Sequence, residues 1–391
     1  MCEHAINAIF EISKRPDIIC NQIIKEKTMI TFGELRNKEG EDSTNQKSLG
    51  SRLTSLSQLL FIVGQVCIKI IIFLEKSEAE FKKTKIQYES LKSATNENTT
   101  TDADNSMANT SEQQKELDLI GGTNEDDFSD AIQYIKENEL LFGPNSLLAK
   151  YGPLVEEIVT NYDKFNDKYL QRNAVLCLTK MMCVSSRFCE KNLSLLITIM
   201  ERSPDPIIRS NAVLGLGDMA VCFNNLIDEN TDFLYRRLHD DNLMVQKTCL
   251  MTVTFLILAG QVKIKGQIAQ MAVLLDNPDQ SISDMCKLFF TELSTKDNAI
   301  YNGFIDIFSG LSSDEELPND SFKTIIKYLL TFIDKDRHQK QLSEKLLSRI
   351  LKAETQRQWD DIAFVLNQLP NKSEKVQQVL DEGFKLVSAR D

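Results

Sequence analysis

Thiol and imidazole side chains are the first residues in this sequence that could do chemistry, and their spacing argues against a metal site. The sequence holds nine Cys and three His. Cys177, Cys183 and Cys189 are six residues apart, a spacing that fits neither a metal-binding knuckle nor one face of a helix. The chain has no CxxC pair, and most of its Cys lie in apolar helical surroundings, as the reduced thiols of cytosolic or nuclear proteins do. The sequence therefore predicts free thiols, no bound metal and no disulfide framework.

A glycine motif and paired carboxylates are the other candidates for chemistry. The string GLGDMA (Gly215–Ala220) has the GxGxxA form of a dinucleotide-binding turn. That turn needs a strand before it and a helix that starts at the glycines, whereas here the glycines fall inside a helical pattern. Close packing of helices explains them better. Since the chain also lacks GxSxG, HExxH and Walker-type motifs, the sequence predicts no cofactor and no enzyme.

The elements that must position any functional surface are visible as an internal repeat. Four segments carry apolar or small residues at spacings of 4, 4 and 3, and successive segments are offset by 38, 37 and 37 residues. Residues at these spacings share one face of an α-helix, so each segment predicts a buried helical stripe. The four stripes are Leu170, Ala174, Leu178 and Met181; Ile208, Ala212, Leu216 and Met219; Val245, Cys249, Val253 and Leu256; and Ile282, Cys286, Phe290 and Leu293.

Each stripe has a predicted start and a predicted partner helix. Three residues before each stripe stands a short polar side chain that can cap a helix N-terminus, and these are Asp167, Asp205, Asn242 and Asp279. A second apolar segment follows in each repeat, within residues 193–200, 233–238, 268–275 and 304–308. Stacked helix pairs of this length predict an all-α fold, an α-solenoid of HEAT-type helix pairs.

Charge and composition divide the chain into three predicted parts. Residues 94–130 contain ten acids and one base, so this stretch supplies −9 of the net charge of −12. We predict N-terminal HEAT-like helices over residues 1–91, a disordered acidic linker over 92–127 and a HEAT-repeat solenoid over 128–391, with the clearest repeats at 167–314. The abrupt apolar start suggests the cut end of a longer array. The apolar run Leu59–Leu74 is short for a membrane span, so we expect a buried helix there.

Basic residues mark a candidate nucleic-acid surface. Residues 321–357 contain nine bases and four acids, and Lys263 and Lys265 flank Ile264 in a turn between helices. A solenoid presents equivalent positions of successive repeats on one surface, so such bases could contact DNA phosphates without reading sequence. An ordinary mixed-charge surface remains the alternative.

Several segments resemble one known family. SPDPIIRSNAVLGLGDMAVCFNN, ENELLFGPNSLLAKYGPLVEEIV and RHQKQLSEKLLSRI are similar to the C-terminal HEAT region of the condensin complex subunit 1 family. The resemblance covers nearly the whole chain except residues 92–127 and 36–48. Because the family's proteins are considerably longer, we expect this chain to be a C-terminal part of one.

The resemblance implies a non-catalytic subunit of the complex that condenses mitotic chromosomes. Such a subunit would bind the kleisin subunit, approach the SMC ATPase heads and help to hold DNA, in the nucleus and on chromosomes, with the cytoplasm as an alternative outside mitosis. The residues expected to contact partners are Arg209, Asn211, Asp218, Asn224, Asn225, Arg236 and Arg237, and Lys263 and Lys265 are expected at the DNA backbone. A purely structural role for Asn211 stays open. So does a HEAT adaptor of another class, such as a transport receptor or phosphatase scaffold, because solenoids serve many partners.

Overall fold

A computed structural model describes residues 1–33, 45–96, 125–262, 267–353, 355–370 and 374–382, and these residues form helices and turns with no β-strand among them. They group into two compact units, Met1–Cys222 and Phe223–Asp391. The helices of unit 1 are α1 (Cys2–Ile12), α2 (Pro16–Gly33), α3 (Asn45–Asn96), α4 (Glu125–Tyr134), α5 (Tyr151–Thr160), α6 (Lys168–Met182), α7 (Ser186–Arg202) and α8 (Pro206–Cys222). The helices of unit 2 are α9 (Asn224–Ile227), α10 (Thr231–Arg236), α11 (Leu243–Leu258), α12 (Ile268–Val273), α13 (Gln280–Ser294), α14 (Ala299–Ser312), α15 (Asn319–Leu330), α16 (Asp336–Ile350), α17 (Gln356–Gln368) and α18 (Glu374–Glu382). The predicted all-α fold is confirmed.

The four predicted caps stand where the first helices of the repeats begin. The Asp167 carboxylate accepts a hydrogen bond of 2.7 Å from the Leu170 N–H at the start of α6. Corresponding bonds of 3.0, 3.0 and 3.1 Å start α8, α11 and α13, accepted by Asp205, Asn242 and Asp279 respectively. Each bond satisfies a backbone donor that has no partner inside its own helix, which is why short polar residues recur at this position.

The four stripes form the core of the repeats. Every stripe residue is between 0 and 3 % exposed. The small column allows a close approach to the preceding helix, because the Cys249 thiol donates to the Leu234 carbonyl at 3.1 Å and the Cys286 thiol donates to the Met271 carbonyl at 3.0 Å. The second helices α7 and α14 contain their predicted segments, α12 begins at the start of its segment, and α10 covers the first four residues of its own. In two of the repeats the first and second helices pack on each other, α6 on α7 and α13 on α14.

The long helix α3 is a core element of unit 1 over the first half of its apolar run. Its stretch Arg52–Ser90 is long and apolar enough to cross a membrane by length and composition alone. Leu59, Leu60 and Val63 are nevertheless fully buried, and α3 packs on α2 and α6. The predicted buried helix is therefore what the structure shows for this part of the run.

The predicted linker falls mostly outside the described residues. Residues 97–124 lie outside them, while α3 continues past the predicted end at Leu91 to Asn96 and α4 begins at Glu125, before the predicted Phe128. Three acids in the first turn of α4 favour this earlier start, since negative charge stabilises a helix N-terminus. The division into three parts otherwise stays a prediction.

Candidate partner-binding surface

The exposed face of α8 brings together two of the predicted partner residues. Asn211, Leu214, Asp218 and Val221 follow one another at spacings of 3, 4 and 3, on a different side of the helix from its buried stripe. Leu214 is 47 % and Val221 44 % exposed, so polar and apolar side chains alternate along this face. Arg209 lies elsewhere, and its guanidinium donates to the Ser203 carbonyl at 2.9 Å.

Asp218 lies in a partly desolvated polar cluster. Burial raises the pKa of its carboxyl group, and the ammonium of Lys180 on α6 acts in the opposite direction. Burial also lowers the pKa of Lys180, whose Nζ donates to Gln65 Oε1 at 2.8 Å and lies 5.3 Å from the Phe61 ring centroid. These pKa shifts show that both charged groups are already partly desolvated in the free protein. Less water must therefore be removed from them when they form a polar contact with a partner.

The predicted residues of unit 2 divide into two kinds. The Asn224 amide donates to the Gln261 carbonyl in the turn after α11, and the Arg237 guanidinium donates to Asp240 Oδ2 at 3.2 Å, with side chains only 19 % and 2 % exposed. Both residues therefore hold the chain's own turns in place. Asn225 and Arg236 are exposed, and the Arg236 guanidinium lies 5.0 Å from the Phe233 ring centroid. As partner contacts, all seven residues stay a prediction.

The predicted DNA contacts cannot be located in the same way. Lys263 and Lys265 lie outside the described residues. In the basic stretch 321–357, Lys323 and Lys327 lie 5.9 and 5.8 Å from the Phe364 ring centroid, and Arg357 donates to the Asp314 carbonyl at 2.7 Å. These contacts are ordinary for surface bases that pack along aromatic rings, and DNA contact remains a prediction.

Gly215, the first glycine of the GxGxxA string, belongs to the packing of α6 and α8. Gly215 lies in the middle of α8, and a Cβ added there would be 2.5 Å from Thr179 Cγ2. The glycine is therefore needed for the close approach of the two helices. Among the described residues, no group of three or more His, Cys, Asp or Glu side chains is arranged to hold a metal.

Sequence reasoning missed a set of exposed apolar residues in unit 2, here named the apolar stripe: Met244, Met251 and Phe255 on α11 and Leu288 on α13. They are 43, 58, 59 and 61 % exposed respectively, and α11 and α13 pack side by side. Leu214, Met251 and Leu288 occupy the same repeat position, 37 residues apart, so the repeat offset was a signal that could have found them. Exposed apolar side chains that recur in this way are typical of a surface that binds another protein.

Comparison with known proteins identifies the family. The family model described as non-SMC mitotic condensation complex subunit 1 matches residues 207–367. Condensin complex subunit 1 of Saccharomyces cerevisiae is 66 % identical over 100 % of this chain and 33 % of its own length. The Schizosaccharomyces pombe protein of the same name is 44 % identical over 98 % of this chain and 34 % of its own length, and the Homo sapiens protein is 36 % identical over 97 % of this chain and 27 % of its own.

The chain belongs to the condensin complex subunit 1 family. The family resemblance expected from the sequence is thus confirmed. The chain spans about a third of the length of the curated relatives it matches. The family match at residues 207–367 contains the apolar stripe and the whole exposed face of α8, so both surfaces lie in the region that the family model describes.

Proposed function

We propose that this chain is part of a non-catalytic scaffold subunit of a condensin complex, which takes part in mitotic chromosome condensation in the nucleus and on chromosomes. The names of the relatives support this role. So does the fold, because stacked helices of a repeat protein offer surfaces for partners without any reactive group. Since the chain spans about a third of its relatives, the role is proposed for this segment within a longer protein.

We propose further that the first helices of the repeats carry the partner-binding faces. The observation that carries this proposal is the apolar stripe, in which Met251 and Phe255 are both more than half exposed. Water-exposed Met and Phe side chains gain free energy when a partner covers them, and Met adapts its shape to the side chain it meets. The kleisin subunit is the first partner we assign to this face, and the SMC ATPase heads are the second.

The experiment is co-purification of the 391-residue chain with a tagged kleisin fragment. The double change Met251→Ser with Phe255→Ser is expected to weaken binding at least tenfold, about 1.4 kcal/mol or more, because two central apolar contacts are lost. The matched control is Leu351→Ser, which removes an apolar side chain that is 67 % exposed at the end of α16. Its binding should equal that of the unchanged chain.

The same assay tests the predicted polar residues. Arg209→Glu combined with Arg236→Glu should reduce binding if these residues contact the kleisin subunit. Unchanged binding would remove both residues from the proposed surface.

The control also defines the outcome that would contradict the assignment to α11. If Leu351→Ser weakens binding as much as Met251→Ser with Phe255→Ser does, then loss of any exposed apolar side chain weakens binding, and the assignment to α11 is wrong.

A contribution to DNA binding forms the second part of the proposal. It is supported by the close spacing of Lys263 and Lys265 in the sequence and by the nine bases of residues 321–357. Binding to duplex DNA should be independent of sequence, should weaken as salt rises, and should lose part of its salt dependence in Lys263→Glu with Lys265→Glu. If the dependence of DNA affinity on salt concentration is the same in this variant as in the unchanged chain, Lys263 and Lys265 are excluded as DNA contacts.

A HEAT adaptor of another class is the competing function. A pull-down from mitotic extract separates the two, because SMC proteins should be recovered with the chain under our proposal. Recovery of transport cargo or a phosphatase without SMC proteins would favour the alternative.

A further inference from the structure

A small cavity in unit 2 lies where three helices meet. It has a volume of about 290 Å³ and is formed by the C-terminal half of α14, the C-terminal end of α16 and the first half of α17. Its buried lining residues are apolar, and these are Phe308, Ala353 and Ile362. Its other lining residues are polar or basic, and these are Ser309, Ser312, Ser313, Arg349, Lys352 and Gln358. Ligand pockets measure about 300–1,000 Å³, so a cavity of this size suits a single large side chain.

Two bases give this cavity a positive charge. None of the described residues that line it is acidic. Within the described part of the chain, neither Arg349 nor Lys352 forms an ion pair with a carboxylate. Exposed bases commonly pair with a neighbouring acid, so two uncompensated bases on one cavity wall are suited to an anion from outside the chain.

One buried acid lies behind the cavity wall. The Asp361 carboxylate accepts a hydrogen bond of 2.6 Å from the Ser312 hydroxyl. Burial raises the pKa of this carboxyl group, while the Ser312 hydrogen bond and the Arg357 guanidinium act in the opposite direction. Asp361 therefore has its own stabilising neighbours, and Arg349 and Lys352 stay available to a ligand.

The hydroxyl groups of the wall are already used as donors. Ser309 donates to the Ile305 carbonyl and Ser313 donates to the Ser309 carbonyl, both at 2.7 Å. The Arg349 Nη1 donates to Ser309 Oγ at 2.7 Å, which holds the guanidinium on the wall. Since a guanidinium has five N–H donors, Arg349 keeps enough of them for a two-pronged contact with an anion.

The side of α16 that carries Arg349 is attached to α14 over its whole length. The Tyr301 ring stacks on the His338 ring with centroids 4.1 Å apart, and the Tyr301 hydroxyl donates to Gln341 Oε1 at 2.8 Å. Lys345 Nζ lies 5.2 Å from the Tyr301 ring centroid. Lys345 precedes Arg349 by one helical turn, so a segment that enters the cavity and follows α16 passes a further base.

We propose that this cavity binds the phosphorylated side chain of a serine or threonine in a partner protein, with the phosphate held by Arg349 and Lys352. A phosphate group at pH 7 carries a charge of about −1.5 to −2 and three acceptor oxygens, which matches two bases better than a single carboxylate does. The buried apolar residues of the cavity are suited to the methyl group of phosphothreonine. Duplex DNA carries its phosphates along the outside of a stiff rod, a shape that a cavity for one side chain does not fit.

The test measures fluorescence anisotropy of a short labelled peptide with the 391-residue chain. The peptide carries a central phosphothreonine, a glutamate four residues before it, and small uncharged residues elsewhere. We expect it to bind at least about tenfold more tightly than the same peptide with unmodified threonine, and inorganic phosphate should compete. Equal binding of the two peptides would overturn the proposal.

A charge-matched pair of variants locates the site. Arg349→Gln with Lys352→Gln should abolish the preference for the phosphorylated peptide. Arg337→Gln with Lys340→Gln removes the same charge from two exposed positions on other sides of α16, and this control should keep the preference. An equal loss in both variants would show general attraction to a basic helix, and the cavity assignment would be wrong.

A single substitution separates loss of the site from loss of the fold. Within the described residues the Lys352 side chain has no hydrogen bond to the chain, so Lys352→Gln should keep the helical circular dichroism and the thermal midpoint of the unchanged protein. It should still weaken binding of the phosphorylated peptide several-fold. Unchanged affinity in this folded variant would contradict the role of Lys352.

Duplex DNA serves as the competing ligand in the same assay. Arg349→Gln with Lys352→Gln should lower affinity for duplex DNA no more than Arg337→Gln with Lys340→Gln does. If only the first variant loses DNA affinity and the peptide shows no preference for phosphate, these bases contact DNA and the proposal is wrong. Neither outcome bears on the condensin role, because kleisin binding is tested separately at Met251 and Phe255.

Discussion

The exposed faces of α8 and α11 differ although the two helices share one buried pattern. On α8 the face carries Asn211, Leu214 and Asp218, and on α11 the same repeat positions carry Thr248, Met251 and Phe255. Leu214 is 47 % exposed between two polar neighbours, whereas Met251 and Phe255 are 58 and 59 % exposed and stand one turn apart. One face is therefore mixed and the other mainly apolar.

This difference shows how a repeat protein separates stability from recognition. The buried stripe residues of α8 and α11 must fill equivalent spaces between neighbouring helices, so they stay apolar and close in volume. No such requirement acts on the exposed face, which can differ from one repeat to the next. The mainly apolar face of α11 is suited to an apolar surface, and the mixed face of α8 to contacts that combine hydrogen bonds with apolar packing.

The largest expected effect tests whether the buried stripes, and not the exposed faces, stabilise the fold. Leu216→Ala in α8 and Phe290→Ala in α13 each remove a side chain that is fully buried, so each should lower the free energy of unfolding by about 3–5 kcal/mol. The measurement is urea denaturation followed by circular dichroism.

The matched controls stand two residues earlier in the same helices. Leu214→Ala and Leu288→Ala remove side chains that are 47 and 61 % exposed, and each should change the unfolding free energy by less than about 0.5 kcal/mol. A cost at Leu288 as large as that at Phe290 would show that the outer face is part of the core and not a free surface.

A smaller effect is expected where α8 approaches α6. Gly215 corresponds to Thr252 of α11, one repeat later, and a Cβ at Gly215 would be 2.6 Å from Thr179 Cβ. Gly215→Ala should therefore destabilise the chain by about 1–3 kcal/mol in urea denaturation, because packed helices must move apart.

The control substitution is expected to change the unfolding free energy in the opposite direction. Gly50 lies within α3, and a Cβ added there meets no atom within 4 Å. Gly50→Ala should stabilise the chain by about 0.5–1 kcal/mol, since Ala loses less backbone entropy than Gly on helix formation. Destabilisation of the same size at both glycines would argue against the close approach as the cause.

The smallest expected effect is a difference between the caps of α8 and α11 in how their contribution to stability depends on pH. Asp205 starts α8, and burial would raise the pKa of its carboxyl group. The bidentate Arg172 guanidinium, at 2.7 and 3.2 Å, and the Ile207 N–H outweigh burial, so the pKa is lowered. A carboxyl group with a lowered folded-state pKa stabilises the fold at pH values above its ordinary pKa, and this contribution is lost as the pH falls through the folded-state pKa.

Paired substitutions measure that contribution. Asp205→Asn keeps a capping oxygen but removes the charge, so it should cost about 1 kcal/mol at pH 7 and progressively less below pH ~4. Asn242→Ala removes the uncharged cap of α11 and should cost about 1 kcal/mol at both pH values. A cost of Asp205→Asn that stays constant down to pH ~3 would exclude the ion pair as its source.

The sequence was sufficient for the features that depend on local spacing. The caps at Asp167 and Asn242 and the stripe positions Leu170 and Val245 follow from the free N–H groups of a helix start and from its period of 3.6 residues, and all of them occur as predicted. The roles of Asn224 and Arg237 were not predictable in this way. Both bond turns of their own chain, and a polar residue in a loop gives no local indication of its acceptor.

By itself, the sequence determined the helices, their buried sides and their starting residues, because each follows from contacts within one or two turns of the chain. Only the tertiary structure decided which apolar residues stay exposed and where two helices approach too closely for a side chain larger than that of Gly. α11 is apolar on nearly every side, so its free side depends on where the neighbouring helices pack. Gly215 and Thr179 are 36 residues apart, and no local pattern determines that α8 approaches α6 so closely at this point.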